Sequence, residues 1–270
     1  MQDRITLALP NGTVCYLTSE AMLTFSAYLR WEVFERKQYL HPEFELRPDD
    51  TVIDIGGNIG VFVLWAAPQL PMGRLVSVEP NPVALECLRL SVDHNNLHNV
   101  TIVPVAAGGE DGTMELLYHP GWEAHTYSAA VNAPWFYTDS GLARGSRWLL
   151  QRARNHAHNA AIVRRLAVKQ MKLARIMDEQ GVRTVNYLKV DCEGSEFEIL
   201  RGMDSTHWSR IERVAIEYHD YGIDRNHSEL VQILQDNGFD IEIIRTWHEH
   251  VLSCLGARIG MIWAKKRFAA

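Results

Sequence analysis

The chain has 270 residues, of which 47% are hydrophobic and 22% charged, and its formal net charge is −6. This length is enough for a complete hydrophobic core, and the chain lacks the run of about eighteen apolar residues that a membrane-spanning helix needs. The four cysteines are scattered, which argues against a disulfide scaffold or a structural zinc site. Because the first residues also lack the pattern of a secretory signal, the sequence predicts a cytoplasmic protein.

Strand and helix patterns alternate after an N-terminal extension of about residues 1–48. The strand-like run at 51–55 leads into the loop "GGNIG" and a helix, and "GRLVSV" and "VTIVPVAAGG" are strands on either side of a helix at 83–96. This alternation is typical of a parallel sheet covered by helices on both faces, so the sequence predicts an α/β, Rossmann-like fold.

The alternation stops at about residues 119–161, which we interpret as a lid-like insertion in a single domain over 1–270. One helix is expected near 145–157, and residues 140–177 hold nine Arg or Lys and no acid. That basic window is either a solvated face or a surface for an anionic ligand. The side chains that can wall a substrate pocket, or alternatively form a small satellite core, are Trp122, His125, Tyr127, Trp135, Phe136 and Tyr137.

The alternation resumes with "VNYLKVD", a strand followed by a helix from Gly194 to about Gly202. After the strand "RVAIEYHD", a further helix is expected with Ser228 as its N-cap and Gly238 as its C-terminal stop. The last two apolar runs, "DIEIIRTW" and "RIGMIWAKK", suit an antiparallel pair at one edge of the sheet.

The loop "VIDIGGNIG" at the first strand–helix junction predicts a ligand site. Glycines there allow a sharp turn and a close approach of the backbone to a ligand. The spacing is not GxGxxG, and an acid before the first glycine, Asp54, repels phosphate and attracts an amine. A plain tight turn is the alternative interpretation.

Glu79 ends the second strand of the alternation, 25 residues after Asp54, where a carboxylate can accept both hydroxyls of a ribose. The two acids together predict a ligand with a cationic amino-acid end and a nucleoside end, the shape of S-adenosylmethionine. The small residues from Ala106 to Gly108 leave room for an adenine. We expect the cofactor to contact Asp54, Gly56, Gly57, Asn58, Gly60, Glu79, Pro80, Asn81, Ala106 and Asp191.

Five segments in this order resemble the FkbM-type class I methyltransferases: "DIGGNIG", "VEPNP", "AAGGEDGTMEL", "LKVDCEGSEFEILRG" and "VAIEYHD". The resemblance covers roughly residues 50–118 and 164–264. It implies a seven-stranded, mostly parallel sheet with a reversed last strand, S-adenosylmethionine as methyl donor, and usually an oxygen acceptor. Gly57 departs from the family, in which alanine is common at that position.

Asp191 closes the strand "YLKV" at the carboxyl edge of the predicted sheet, where open α/β sheets bind ligands. A carboxylate there can orient the cation and the acceptor, or serve as base for the acceptor hydroxyl. Glu193 and Glu196 begin the next helix, where the helix dipole stabilises negative charge. We therefore assign Asp191 to function, and Glu196 and Glu198 to structure.

Glu217 and His219 lie two residues apart in a strand, so they share one face and emerge beside Asp191. We expect Asp191, Glu217 and His219 to be catalytic, with His219 able to take the acceptor proton. The same three residues are also candidate ligands of a divalent cation, although a lone histidine in a strand is more often a packed residue.

The sequence thus predicts a methyltransferase that acts on a hydroxyl of a small molecule, such as a sugar, a polyketide or a lipid-linked glycan. The basic window favours an anionic acceptor. A nucleic-acid methyltransferase is disfavoured by the overall acidity, so no nucleic-acid partner is expected. A cofactor-binding protein without turnover is the other alternative, and a homo-oligomer stays open.

Overall fold

The computed structural model describes residues 5–41, 43–118, 126–130, 164–221, 225–245 and 257–267. In chain order the strands are β1 Ile5–Ala8, β2 Val14–Leu17, β3 Thr51–Ile55, β4 Arg74–Val78, β5 Val100–Val103, β6 Ala106–Gly108, β7 Gly112–Tyr118, β8 Tyr127–Ser128, β9 Arg164–Lys172, β10 Tyr187–Val190, β11 Arg213–Tyr221, β12 Phe239–Arg245 and β13 Ala257–Lys266. The α-helices are α1 Leu23–Arg30, α2 Val61–Ala66, α3 Pro82–His94, α4 Leu173–Glu179, α5 Glu196–Arg201, α6 Ser205–Trp208 and α7 His227–Asp236. A π-helical turn, Trp31–Glu35, continues α1.

The central sheet has seven strands in the order β12-β13-β11-β10-β3-β4-β5. Strand β13 runs antiparallel to both of its neighbours, and the pairs from β11 to β5 are parallel. This confirms the predicted Rossmann-like α/β fold with its reversed last strand and an antiparallel pair at one edge.

Both faces of this sheet are buried, which is why its strands are continuous apolar runs. Val52 packs with α2, α3 and the N-terminal segment, whereas Ile53 and Ile55 pack with α4, α5 and α7. Successive side chains of β3 thus enter different cores, as the two-residue period of a strand requires. The helices therefore lie on both faces, as predicted.

A second sheet, in the order β6-β9-β7-β8, adjoins the central one. The run "VTIVPVAAGG", predicted as one strand, is in fact divided between β5 of the central sheet and β6 of the second sheet. Pro104 lies at the division, and because proline has no N–H group it cannot continue the hydrogen-bond ladder of a strand. The prediction of a single strand is wrong here.

The N-terminal segment packs on α3. In the hairpin β1–β2, the N–H group of Val14 donates to Asn95 Oδ1 at 2.9 Å and that of Tyr16 donates to Ser91 Oγ at 2.9 Å. Cys15 and Leu17 of the same hairpin join the core formed by α2 and α3. This docking brings the following helix, α1, to the edge of the sheet.

The predicted helix boundaries near the C-terminus need one correction. Ser228 lies inside α7, and the N-cap is Asn226, whose side chain accepts from the N–H group of Ser228 at 2.9 Å. Gly238 follows the end of the helix with φ +81°, in agreement with the predicted stop. The helix expected near 145–157 lies outside the described residues. Among the described residues, every helix is too short or too polar to cross a lipid bilayer.

Candidate active site

A pocket lies at the carboxyl edge of the central sheet, where β3, β4 and β10 end and β11 passes. Its further walls come from α1 with the π-helical turn and from the second sheet. The predicted site residues that line it are Gly56, Gly57, Asn58, Glu79, Pro80, Ala106, Asp191, Glu217 and His219. Three predicted residues, Asp54, Gly60 and Asn81, do not line it.

The glycine loop brings two strand ends into close contact. Gly56 has φ +81°, and a Cβ atom built on it would overlap the carbonyl oxygen of Asp191. The amides of residues 56–60 are each bonded within the protein: those of Gly56 and Gly57 donate to Val78 O, and the other three donate to Glu79, Asn58 Oδ1 and Gly57 O. The loop therefore offers no amide cradle for a phosphate.

Asp54 is fully buried beneath this loop. Its carboxylate lies 3.0 Å from Lys189 Nζ and accepts from Ser77 Oγ at 2.9 Å. The cation that Asp54 meets is therefore a side chain of the protein, and we do not retain the expectation that this carboxylate contacts the donor's amine directly. Lys189 lines the pocket in its place.

Lys189 connects the loop to the acids of the pocket. Its ammonium donates to Gly56 O at 2.9 Å and lies 3.5 Å from Asp191 Oδ2. Burial alone would lower the pKa of Lys189, but the carboxylates of Asp54 and Asp191 outweigh burial and raise it. Lys189 is therefore a fixed positive charge in the wall.

Glu79 presents its carboxylate to the pocket. The N–H groups of Asn58 and Asn81 donate to its two oxygens at 2.8 Å and 2.7 Å. Burial raises the pKa of Glu79 to about 7, although these two donors oppose the shift. The side chain of Asn81 caps α3 by accepting from the N–H group of Val83 at 3.0 Å, and its amide donates at 2.9 Å to Oγ1 of Thr126, which lines the pocket.

Asp191, Glu217 and His219 converge as predicted: one ligand-type atom of each lies within 4.8 Å of the others. The hydroxyl of Tyr39 donates to Asp191 Oδ2 at 2.7 Å and lies 3.4 Å from Glu217 Oε2. Burial, together with the charges of Asp191 and Glu32, raises the pKa of Glu217 well above its usual value. This shift favours the neutral form of Glu217, which can then act as a hydrogen-bonding group.

His219 is held between two carboxylates. Its Nδ1 lies 3.0 Å from Glu196 Oε1, and its Nε2 lies 3.7 Å from Glu193 Oε2. Burial opposes the charged form, but Glu196 and Glu193 overcome it and raise the pKa of His219 well above its usual value. A protonated imidazole has no lone pair for a proton or a metal ion, so this environment disfavours His219 both as a base and as a ligand.

The acids that follow Asp191 make structural contacts. Glu196 is fully buried and accepts from the N–H groups of Cys192 and Gly194 at 3.2 Å and 3.1 Å. Glu198 forms an ion pair with Arg225 at 3.0 Å. These contacts agree with the structural roles that we predicted for both glutamates.

Four titratable side chains of the pocket wall escape sequence reasoning: Tyr28, Glu32, Tyr39 and Lys189. Lys189 had a signal, because it lies two residues before Asp191 on a strand and so faces the same side. The other three lie in the N-terminal extension, where no motif marks them. Of the aromatic residues predicted as a wall, Tyr127 is described and buried but does not line the pocket; the other five lie outside the described residues.

A sequence profile of the methyltransferase FkbM domain matches residues 54–241. The 31-O-demethyl-FK506 methyltransferase FkbM of Streptomyces tacrolimicus is 28% identical over 248 residues, which cover 87% of this chain and 89% of that protein. Methyltransferase sdnD of Sordaria araneosa is 28% identical over 211 residues, covering 77% of this chain and 80% of the relative.

Among solved structures, methyltransferase FkbM from Methylobacillus flagellatus KT has the same fold, with a TM-score of 0.51 at 14% identity. The match covers 92% of this chain and 56% of that one, so this chain spans little more than half the length of that protein. Because the profile covers most of the sheet and the loops that form the pocket, this chain belongs to the FkbM family of methyltransferases.

Proposed function

We propose that this methyltransferase transfers the methyl group of S-adenosylmethionine to a hydroxyl of a small molecule. The observation that carries the proposal is the carboxylate of Glu79, which two backbone amides hold at the end of β4, facing the pocket. A carboxylate in that position suits the two hydroxyls of a ribose. The neighbouring loop has no free amide for a phosphate, which favours a nucleoside with a cationic tail over a dinucleotide.

The residues present fit such a donor. Glu79 and Pro80 would hold the nucleoside, Ala106 and Ala107 would leave space beside its base, and the backbone of Gly56 and Gly57 would face its amino-acid end. Asp54 acts indirectly in this proposal, because it fixes Lys189 at 3.0 Å and so fixes the charge next to Asp191. When bound, the sulfonium supplies an electrophilic methyl group for in-line displacement.

The acceptor side of the pocket is acidic. Its lining includes Glu32, Asp191, Glu193 and Glu217, whereas Lys189 and His219 are already paired with carboxylates. None of the described residues of the basic window, 164–177, lines the pocket. Two of them, Arg165 and Arg175, form exposed ion pairs with Glu115 and Asp111. This wall favours a neutral hydroxylated acceptor over the anionic one that the window predicts, in line with the name of the FK506-related relative.

A divalent cation does not fit this arrangement well. Asp191 Oδ2 already accepts from Tyr39 and faces the Lys189 ammonium, and the imidazole of His219 is held by Glu196. Positive charge opposes the ion, because the Lys189 ammonium lies 3.5 Å from Asp191 Oδ2 and the pKa of His219 is raised toward the protonated form by Glu196 and Glu193. We therefore derive no step through a metal.

Calorimetry with S-adenosylhomocysteine tests the donor site. We expect the wild-type chain to bind it and Glu79→Gln to bind at least tenfold more weakly. Glu86→Gln should bind as the wild type does, because Glu86 on α3 is exposed and does not line the pocket. Equal affinity for Glu79→Gln would contradict this placement of the nucleoside.

Transfer of a ¹³C-methyl group to neutral alcohols, detected by mass spectrometry, then tests the reaction. Labelled RNA or DNA in place of an alcohol product would support the nucleic-acid alternative. Donor binding without any product across the panel would support a binding protein without turnover.

A further inference from the structure

The N-terminal segment supplies a whole wall of the pocket. Phe25, Tyr28 and Leu29 of α1 line it, followed by Glu32 and Val33 of the π-helical turn. A π-helical turn is rare and is found frequently at functional sites, because the widened turn re-aims the side chains that it carries. This turn brings a carboxylate into the wall of a mostly apolar helix.

Glu32 is only 5% exposed, yet it lines the pocket. The hydroxyl of Tyr28, one turn earlier, donates to Glu32 Oε1 at 3.2 Å. Tyr28 itself is 37% exposed and packs against Phe25 and Trp31, with ring centroids 5.9 Å apart in each case. The carboxylate therefore lies at the inner end of an aromatic rim that leads in from the surface.

Glu32 accepts from the neutral hydroxyl of Tyr28, whereas the other carboxylates of the pocket face a charged group, accept from backbone amides or, as Glu217 does, share the Tyr39 hydroxyl. Asp191 accepts from Tyr39 and faces Lys189, and Glu79 accepts from two backbone amides. His219 and Glu193 form a pair, with 3.7 Å between Nε2 and Oε2. Lys189 and Tyr39 act as donors in these contacts.

We propose that Glu32 is the general base of the reaction. This inference rests on the proposed O-methyl transfer. The acceptor oxygen forms a bond to the methyl carbon, the carbon–sulfur bond breaks, and its electron pair stays on sulfur as a neutral thioether. The proton of the acceptor hydroxyl passes to the Glu32 carboxylate, so one positive and one negative charge disappear together.

The electrostatic surroundings of Glu32 suit this role. Burial, and next the charge of Asp191 on the β10 side, raise the pKa of Glu32 to about 7; Tyr28, Arg36 and Lys189 oppose the shift. Glu217 on β11 and Tyr39 in the following loop are the other titratable groups that its charge affects. A base is most effective when its pKa is close to the working pH.

The test compares Glu32→Gln, Glu32→Asp and the control Glu35→Gln. Glu35 belongs to the same turn but pairs with Arg30 at 2.9 Å and does not line the pocket. Turnover is measured from pH 5.5 to 9 with ¹³C-methyl S-adenosylmethionine and neutral alcohols, including 31-O-demethyl-FK506. Binding of S-adenosylhomocysteine and the melting temperature are measured on the same samples.

We expect Glu32→Gln to lose about 10²- to 10⁴-fold in turnover, the range of a general base, with donor affinity and melting temperature retained. At saturating donor, where protonation of Glu79 no longer limits turnover, the wild type should lose activity as the pH falls through about 7, and Glu32→Gln should lack this acidic limb. Glu35→Gln should match the wild type.

Turnover of Glu32→Gln within threefold of the wild type overturns the inference and leaves the proposed function standing. A loss of donor affinity or of folding in both Glu32 variants also overturns it, in favour of a structural role. Absence of product from the wild type and Glu35→Gln alike overturns the proposed function itself, and the inference with it.

Discussion

The space beside Gly57 gives a sharp prediction, because alanine, which adds a single methyl group, tests it directly. A Cβ atom built on Gly57 would overlap Ser77 Oγ and lie 3.2 Å from Asp54 Oδ2. The φ of Gly57 is not positive, so alanine meets no backbone strain there. The glycine is therefore required by the hydroxyl of Ser77, which occupies the space of the missing methyl group.

In Gly57→Ala, the Ser77 hydroxyl must rotate away from Asp54 or the loop must shift. Overpacking costs about 1–3 kcal/mol, and the lost hydrogen bond to a buried carboxylate is of the order of 1–3 kcal/mol. Since both costs describe one rearrangement, we expect Gly57→Ala to lower the free energy of unfolding by about 2–3 kcal/mol in total. We also expect it to bind S-adenosylhomocysteine more weakly.

The partner variant is Ser77→Ala, which loses the same hydrogen bond but opens the space. In the double variant the overlap with Ser77 Oγ is gone, and the alanine at 57 meets Asp54 Oδ2 at 3.2 Å and the Cβ atom of residue 77 at 3.4 Å. The double variant should therefore be about as stable as Ser77→Ala, so the coupling free energy should equal nearly the whole cost of Gly57→Ala alone, about 2–3 kcal/mol. Urea unfolding of the wild type, the two single variants and the double variant measures this coupling. Strict additivity of the two single-variant losses in stability would refute the reasoning.

Two further predictions concern the charges around the pocket. Asp54→Asn should destabilise the fold by about 3–5 kcal/mol in urea unfolding, because it leaves the buried Lys189 ammonium without its closest carboxylate. Unchanged stability would show that Asp191 suffices to stabilise this ammonium. The control is Glu179→Gln, which removes an exposed ion pair with Arg175. The pKa of His219 is higher in the folded state than in the unfolded state, so protonation of His219 stabilises the fold. This stabilisation is complete below the unfolded-state pKa of about 6.5 and is lost as the pH rises through the folded-state pKa. His219→Gln should therefore lower the melting temperature more at pH 6 than at pH 9, and an equal loss at both would indicate a neutral, packed histidine.

The sequence by itself determined the sheet and the residues at its carboxyl edge. The apolar runs of β3, β4, β10 and β11 are buried on both faces, so burial alone dictates that they pair in the centre. Because parallel strands end at one edge, Glu79, Asp191 and Glu217 had to converge there. The predicted single strand at 100–109 failed locally, because Pro104 interrupts its ladder.

Only the tertiary structure decided what each charge at that edge faces. Asp54 precedes the glycine loop, as in the predicted amine site, but its cation is Lys189, 135 positions later in the chain. Tyr39 and Glu32 reach the pocket because the hairpin β1–β2 docks on α3, and contacts of that kind leave no periodic signal in sequence. The pKa values of Glu32, Glu217 and His219 depend on burial and on neighbours distant in the chain. Desolvation and Coulomb interactions act through space, so the protonation states of the pocket follow from the folded arrangement and not from the order of residues.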